Sequence, residues 1–207
     1  MKKNIKTIQS IISSILAFLL TLVFVSLFIL TGLYFGVFNN RIILSKVNES
    51  NYYNEVYEEL HNRAEEIIKE SGLPLQVLSE VITLERVYIG GKYYIEDTLM
   101  GREPLIQTDK VRSQLEQNVN QYLKEEGITR TKELDAGIEE ILNKVVQEYR
   151  RGIQFQFINY IAEYKASFMN LFRIAVPVLV LIAGIIGFSL VKLHNYIHKG
   201  VRYIAYA

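Results

Sequence analysis

The chain has 207 residues, contains neither cysteine nor tryptophan, and is half hydrophobic. The absence of cysteine excludes a lipoprotein anchor and a disulfide framework. The net charge of +1 conceals an asymmetry, because all 22 acidic residues but only 16 of the 23 lysines and arginines lie in residues 39–170. That segment therefore carries a net charge of −6, and an acidic surface gives no support to nucleic-acid binding.

The first predicted element is a transmembrane helix. Residues 11–38 form an uncharged stretch of 28 residues that follows the basic start MKKNIK. About 20 apolar residues in a helix cross a bilayer core. A signal peptide has an apolar region of only about 7–15 residues, and no small-residue cleavage site follows this one. We interpret residues 1–38 as a basic cytoplasmic N-terminus followed by an uncleaved signal-anchor helix.

An amphipathic helix is predicted over residues 50–71, because apolar residues recur there every three or four positions. Ser50 is its expected N-cap and Gly72 its expected end. Pro74 is expected to begin a short second helix, since proline is favoured in the first helical turn.

Residues 83–99 fit two structures. A hairpin would turn at Gly90 and Gly91, and two adjacent glycines cost a helix roughly 2 kcal/mol relative to alanine. A lone hairpin is only marginally stable, however, and no third strand is indicated nearby. Helix is therefore the favoured prediction for this segment.

Three more helices are predicted in the acidic segment. One begins at Thr108 or Asp109, and another begins at Thr131 and is interrupted by Gly152. The last begins at about residue 153 and continues into a second apolar stretch. Residues 39–170 are thus expected to form a small helical bundle, in which short connections favour antiparallel neighbours.

The second predicted span covers residues 171–193, of which 174–191 are uncharged. Three lysines precede the first apolar stretch, and Lys192, Lys199 and Arg202 follow the second. Short loops rich in lysine and arginine stay in the cytoplasm, so both of these flanks are expected there. The sequence therefore predicts an all-α protein of the cell membrane, with two antiparallel transmembrane helices flanking an extracytoplasmic helical domain. Residues 194–207 form a basic cytoplasmic segment.

Small residues suggest where helices pack in the membrane. Transmembrane helices associate where small side chains let their backbones approach. Ser13 and Ala17 have the right depth to meet Ala183 and Gly187 of the antiparallel second span. Gly32 and Gly36 are then left for a second copy of the chain or for another membrane protein. The alternative is that this spacing arose by chance, because glycine is common in membrane helices.

A basic cluster follows the second span. Its members are Lys192, His194, His198, Lys199 and Arg202. The expected role is an interfacial turn near anionic lipids of the bilayer. A metal site at the two histidines is the alternative, because they lie four residues apart.

No catalytic motif or cofactor-binding motif occurs in the sequence. His61 and Glu65 would supply two metal ligands on one helix face, but a site needs three or four. Glu49, followed by serine, is the best candidate for a glycan-cleaving acid, although the other motifs of such enzymes are missing. We therefore expect neither enzymatic activity nor a cofactor or metal.

Six tyrosines lie between residues 52 and 94. Exposed tyrosines would form a recognition surface for a partner. Buried tyrosines would instead fill the core in the place of phenylalanine or tryptophan. They are Tyr52, Tyr53, Tyr57, Tyr88, Tyr93 and Tyr94.

The stretches LHNYIHKGVRYIAYA and YRRGIQFQFINYIAEY resemble those of small multi-pass membrane proteins of Gram-positive bacteria, which have a helical extracytoplasmic domain and no assigned function. The resemblance implies that YIAYA starts a third span, so that the chain is a fragment. Without it, the tail is the end of a short interfacial helix. The bias towards lysine, asparagine and isoleucine also suggests a Gram-positive source.

Three functions are compared on this basis. The first is a membrane protein whose outer helical domain interacts with or senses an envelope protein, a peptide or a wall component. The second is a subunit or fragment of a multi-pass transporter or channel-like protein, which usually carries an intramembrane charge. The third is an envelope enzyme. The first is preferred because the layout is span–domain–span without a catalytic motif, and because the apolar stretches 11–38 and 174–191 contain no charged residue.

Overall fold

The computed structural model describes residues 2–193, 201–202 and 204–205, with side chains from residue 7 onward. This part of the chain is helical and contains no strand. Its seven α-helices are α1 (Lys2–Phe35), α2 (Asn40–Glu49), α3 (Tyr52–Glu70), α4 (Leu84–Leu99), α5 (Asp109–Glu125), α6 (Lys132–Ile153) and α7 (Gln156–Leu193), with a 3-10 helix at Leu75–Leu78.

The chain forms two compact units. The domain unit is Asn40–Glu163, and the span unit consists of the described parts of Met1–Asn39 and Tyr164–Ala207. Helix α7 contributes residues to both units.

The ambiguous segment at residues 83–99 is helix α4, so the helix prediction is confirmed. Thr83 caps its N-terminus, because the side-chain oxygen accepts a hydrogen bond from the Arg86 backbone N–H at 3.3 Å. Its two glycines are sites of close approach. A Cβ at Gly91 would lie only 2.9 Å from Cε1 of Tyr53, and one at Gly90 would lie 3.2 Å from the Tyr149 hydroxyl. Tertiary packing therefore outweighs the low helix propensity of the pair.

Helix α3 lies within the predicted range, but its N-cap differs from the prediction. Asn51 occupies that position in the left-handed conformation, with φ 61° and no side-chain capping bond. Ser50 instead ends α2, and its backbone N–H donates to Lys46 O at 3.1 Å. Gly72, at φ 75°, follows the end of α3 as expected, because a left-handed residue there suits glycine.

Helix α2 was not predicted from the sequence. It is only ten residues long and has no fully buried residue. Ile43, Leu44 and Val47 pack against the core of the domain unit on one side of α2. A short helix of this kind draws its stability from tertiary packing, which leaves only a weak local signal.

The helices α5 and α6 begin where the sequence predicts. Thr131 caps α6 by accepting a hydrogen bond from the Leu134 backbone N–H at 3.2 Å. The predicted interruption is present but lies at residues 154–155 rather than at Gly152, because α6 continues to Ile153 and α7 begins at Gln156. A Cβ at residue 152 would lie 2.6 Å from Leu60 Cγ, so glycine is needed for the contact between α3 and α6.

The core of the domain unit is built from one apolar face of each amphipathic helix. Residues at three- and four-residue steps are buried along these helices, for example Leu60, Ala64 and Ile68 in α3. Its fully buried members include Leu60, Ile68, Val87, Ile95, Val111, Leu115, Leu142 and Val145.

The span unit has the opposite distribution of apolar side chains. Two helices, Thr7–Phe35 and Gln156–Leu193, are long and apolar enough to cross a membrane. Only 17% and 6% of their most apolar stretches are buried within the protein. Tyr34 stacks on Phe172 and Phe38 on Phe168, each with ring centroids 4.6 Å apart.

Candidate functional site

Ser13 and Ala17, the predicted packing residues of α1, lie on a face of the helix that is covered by the protein. Ser13 is completely buried, together with Leu20 and Val23, and Ala17 is half-buried. The Ser13 hydroxyl has no hydrogen-bond partner among the described residues. In α7, Ala183 is half-buried as well.

Gly187, the partner of Ala183 in the predicted packing, has a neighbour from the C-terminal segment. Its Cβ position would lie 3.8 Å from Cδ1 of Ile204. The expected meeting of Ser13 and Ala17 with Ala183 and Gly187 stays a prediction.

The glycines at the end of α1 differ from each other. Gly32 is exposed, and no described atom lies within 4 Å of the place where its Cβ would stand. The Gly36 backbone N–H donates to Gly32 O at 2.8 Å, and a Cβ at Gly36 would lie 2.7 Å from that oxygen. Gly36 is therefore required by the turn that ends α1. No contact among the described residues requires glycine at residue 32.

The predicted basic cluster is described only in part. Lys192 is exposed, and its Nζ lies 6.0 Å from the centre of the Phe188 ring, at the outer limit of a cation–π contact. Arg202 is exposed as well. The other three members, His194, His198 and Lys199, lie outside the described residues.

The His61–Glu65 pair is present on α3, with Nε2 and Oε1 3.3 Å apart. Lys69 binds the other oxygen of Glu65, and this hydrogen bond lowers the pKa of Glu65. No group of three histidine or acidic residues able to hold a metal occurs in the part of the chain that the structure describes.

Glu49 is an exposed residue at the end of α2. Lys46 Nζ lies 2.6 Å from its Oε2 and Ser45 donates to its Oε1 at 2.9 Å. The hydrogen bond from Lys46 holds the pKa of Glu49 below its usual range. A general acid needs the opposite shift, so this environment does not suit the glycan-cleaving role considered from the sequence.

The six tyrosines divide between the two predicted roles. Tyr53 and Tyr94 are buried in the core, Tyr52 and Tyr57 are half-buried, and Tyr88 and Tyr93 are exposed. Core filling therefore applies to Tyr53 and Tyr94, and a recognition role stays a prediction for the exposed Tyr88 and Tyr93.

One concave site of the domain unit, which we call the α4–α6 cavity, has a volume of about 250 Å³. Helix α4 provides Arg86, Ile89, Gly90, Tyr93 and Asp97. The remaining walls come from Leu105, Gln107, Lys110 and Tyr149. Cavities of this kind, with apolar walls and a few converging polar groups, are typical of small-molecule sites.

Arg86 is held in place at the cavity by backbone oxygens. Its Nη1 donates to Glu80 O and, at 2.7 Å, to Val81 O. Glu80 adopts the left-handed conformation at φ 57°, which is uncommon for a residue other than glycine. The Tyr149 hydroxyl donates to Arg86 O at 3.2 Å, and burial raises the pKa of Tyr149.

The sequence pattern did not identify this cavity. Its residues come from three helices and the segment before α5, and none of them forms a recognisable motif. One signal was available, since the Gly90–Gly91 pair inside a helix indicates close packing or a functional site. No family model matches the chain, and neither a curated protein nor a solved structure matches it.

Proposed function

We propose that the protein is an integral membrane protein whose extracytoplasmic helical domain binds an envelope component, for interaction or for sensing. The observation that carries this proposal is the contrast between the two units. The domain unit encloses its own apolar core, whereas α1 and α7 turn large apolar side chains outward. A lipid bilayer is the solvent that such outward-facing side chains require.

The hydroxyl groups of the long helices support a lipid environment. Ser14, Thr21, Ser26 and Thr31 of α1 each donate to the backbone oxygen four residues earlier, and Ser189 of α7 does the same. A hydroxyl that is bonded within its own helix needs no water. Ser13 is the exception, because its buried hydroxyl has no hydrogen-bond partner among the described residues.

The ring pairs support an antiparallel arrangement of the spans. The chain advances from Tyr34, in the last turn of α1, to Phe38, three residues after its end, while their ring partners run backward from Phe172 to Phe168. Lysines and arginines at the outer flanks then favour cytoplasmic ends and an extracytoplasmic domain unit. The α4–α6 cavity supports a binding role for that domain.

Cysteine labelling in cells tests this topology, since the chain has no cysteine of its own. Phe28→Cys and Leu105→Cys form a matched pair, because both side chains are 80% exposed in the bare protein. We expect a membrane-impermeant maleimide to label residue 105 in intact cells. Residue 28 should be labelled only after denaturation in detergent, because lipid covers it.

Arg202→Cys serves as the control for sidedness, because this side chain is exposed and lies on the predicted cytoplasmic side. It should be labelled only after the cells are permeabilised. Equal labelling of residues 28 and 105 in intact membranes would show that α1 is in water and would reject the proposal. Labelling of residue 202 and not of residue 105 in intact cells would reverse the orientation.

A further inference from the structure

The α4–α6 cavity combines an apolar rim with a positive charge that no acid compensates. The rim consists of Ile89, Tyr93 and Leu105, all of which are exposed although they are large and apolar or aromatic. Apolar side chains that cluster at a water-facing concavity are typical of a binding site.

The charges at the cavity are unequal. The only acidic group in its wall, Asp97, is engaged by Arg102, whose Nε donates to Oδ1 at 2.8 Å. Arg86 and Lys110 also line the cavity, and neither forms an ion pair with an acid among the described residues. The cavity therefore has two available cations within a domain that is acidic as a whole.

The guanidinium group of Arg86 is oriented by the fold and retains donors that can bind an anion. Both bonds of its Nη1 go to the backbone oxygens of Glu80 and Val81, which fix the guanidinium group. No described hydrogen bond engages Nε or Nη2, so these donors remain for a ligand. Paired donors of a guanidinium match the geometry of a carboxylate.

The size of the cavity limits the ligand. A volume of about 250 Å³ lies just below the range of about 300–1,000 Å³ that is usual for drug-sized molecules. Gly90 forms part of the cavity wall where α4 closely approaches α6, since a Cβ there would lie 3.2 Å from the Tyr149 hydroxyl and 3.5 Å from Ile153 Cδ1.

We propose that the α4–α6 cavity binds a small carboxylate that carries an apolar or aromatic group. The carboxylate lies against Arg86 and Lys110, and the apolar group lies against Ile89, Tyr93 and Leu105. This inference deepens the binding role proposed above and rests on it, because it names the chemical class of the ligand.

The test uses the full chain in lipid nanodiscs with one engineered thiol, Gln107→Cys, at the edge of the cavity. The probe is 4-phenylbutyrate, and its neutral isostere 4-phenylbutyramide is the charge control. The expected result is that the acid slows maleimide labelling of residue 107 in a saturable manner and that the amide binds about tenfold more weakly, as expected for the loss of a charge-assisted hydrogen bond. Met100→Cys, which is exposed and outside the cavity, should not be protected.

Lys110→Gln and Lys124→Gln provide the matched protein variants, because both lysines are exposed residues of α5 and only Lys110 lines the cavity. Lys110→Gln should weaken protection by about fivefold, the upper range for an exposed ion pair, and Lys124→Gln should leave it unchanged. No protection by the acid, equal protection by the amide, or equal effects of the two lysine variants would each overturn the inference. Because nanodiscs expose both faces of the protein, these results do not depend on the membrane orientation.

Discussion

Leu115 of the domain unit is fully buried, whereas Leu181 of α7 is 62% exposed. Both residues belong to α-helices, but α5 is polar outside one apolar face, whereas α7 is apolar along most of its length. The difference lies in what each helix uses to cover its apolar surface. The domain helices are amphipathic and cover each other, whereas the long helices are apolar on most of their circumference and need an external apolar medium.

The largest expected effect comes from making the same substitution in both units. Leu115→Ala leaves a cavity in a closed core, so the free energy of unfolding should fall by about 2–5 kcal/mol. Leu181→Ala removes contacts that lipid chains can replace, and its effect should stay within about 0.5 kcal/mol. Thermal unfolding of the full chain in nanodiscs, followed by far-ultraviolet circular dichroism, measures both.

An equal loss of stability for the two variants would contradict this comparison. It would mean that Leu181 packs against protein, for example against a second copy of the chain. A dependence of the Leu181→Ala effect on protein concentration in the membrane would identify that case.

Glycine substitutions should have the next largest effect. Gly152→Ala forces a methyl group against Leu60, and overpacking of this kind costs about 1–3 kcal/mol. Gly137 lies in the same helix with no described atom within 4 Å of its Cβ position. Gly137→Ala should therefore stabilise the domain by about 0.5–1 kcal/mol through helix propensity.

Gly32→Ala extends this test to the span unit. Its Cβ position is also open, so alanine causes no overlap there and should not lower the stability of the monomeric protein. A loss of self-association in crosslinking experiments would instead indicate that Gly32 is a contact with a second copy. If Gly152→Ala proved neutral, the close approach of α3 and α6 would be wrong.

The sequence predicted most helices because their apolar periodicity is strong. It also predicted that the segment around Gly90 and Gly91 is a helix, for the sound reason that a hairpin there would lack further strands. It could not predict that Gly152 continues α6, because the reason is the side chain of Leu60, 92 positions earlier in the chain. Local glycine signals cannot distinguish a helix end from a close packing contact.

The candidate site was harder to predict than the fold. Tyr93 was noticed as part of a tyrosine cluster, but Arg86, Lys110 and Leu105 belong to different elements and have no common pattern. Arg86 depends on the backbone oxygens of Glu80 and Val81, which only the folded chain brings to it. When tertiary packing alone brings the residues of a site together, those residues have no regular spacing in the sequence by which the site could be predicted.

The smallest expected effect compares one hydroxyl group in each unit. Thr131 accepts a hydrogen bond from a backbone N–H that has no other partner in the first turn of α6, so Thr131→Ala should cost about 1 kcal/mol. Ser26 of α1 donates to the Leu22 oxygen, which already belongs to the helix ladder, so Ser26→Ala should change stability by less than about 0.5 kcal/mol. Thr131→Ser, which keeps the oxygen, is the control and should retain most of the stability.

Thermal unfolding in nanodiscs measures this pair as well, with hydrogen exchange at residues 132–134 as the local readout. Faster exchange in Thr131→Ala and not in Thr131→Ser would tie the loss to the cap. A clear loss for Ser26→Ala would mean that its hydroxyl has a second partner in the membrane, since a bond within its own helix contributes little. That result would reopen the transporter alternative, because it would place a functional polar contact on the outward face of α1.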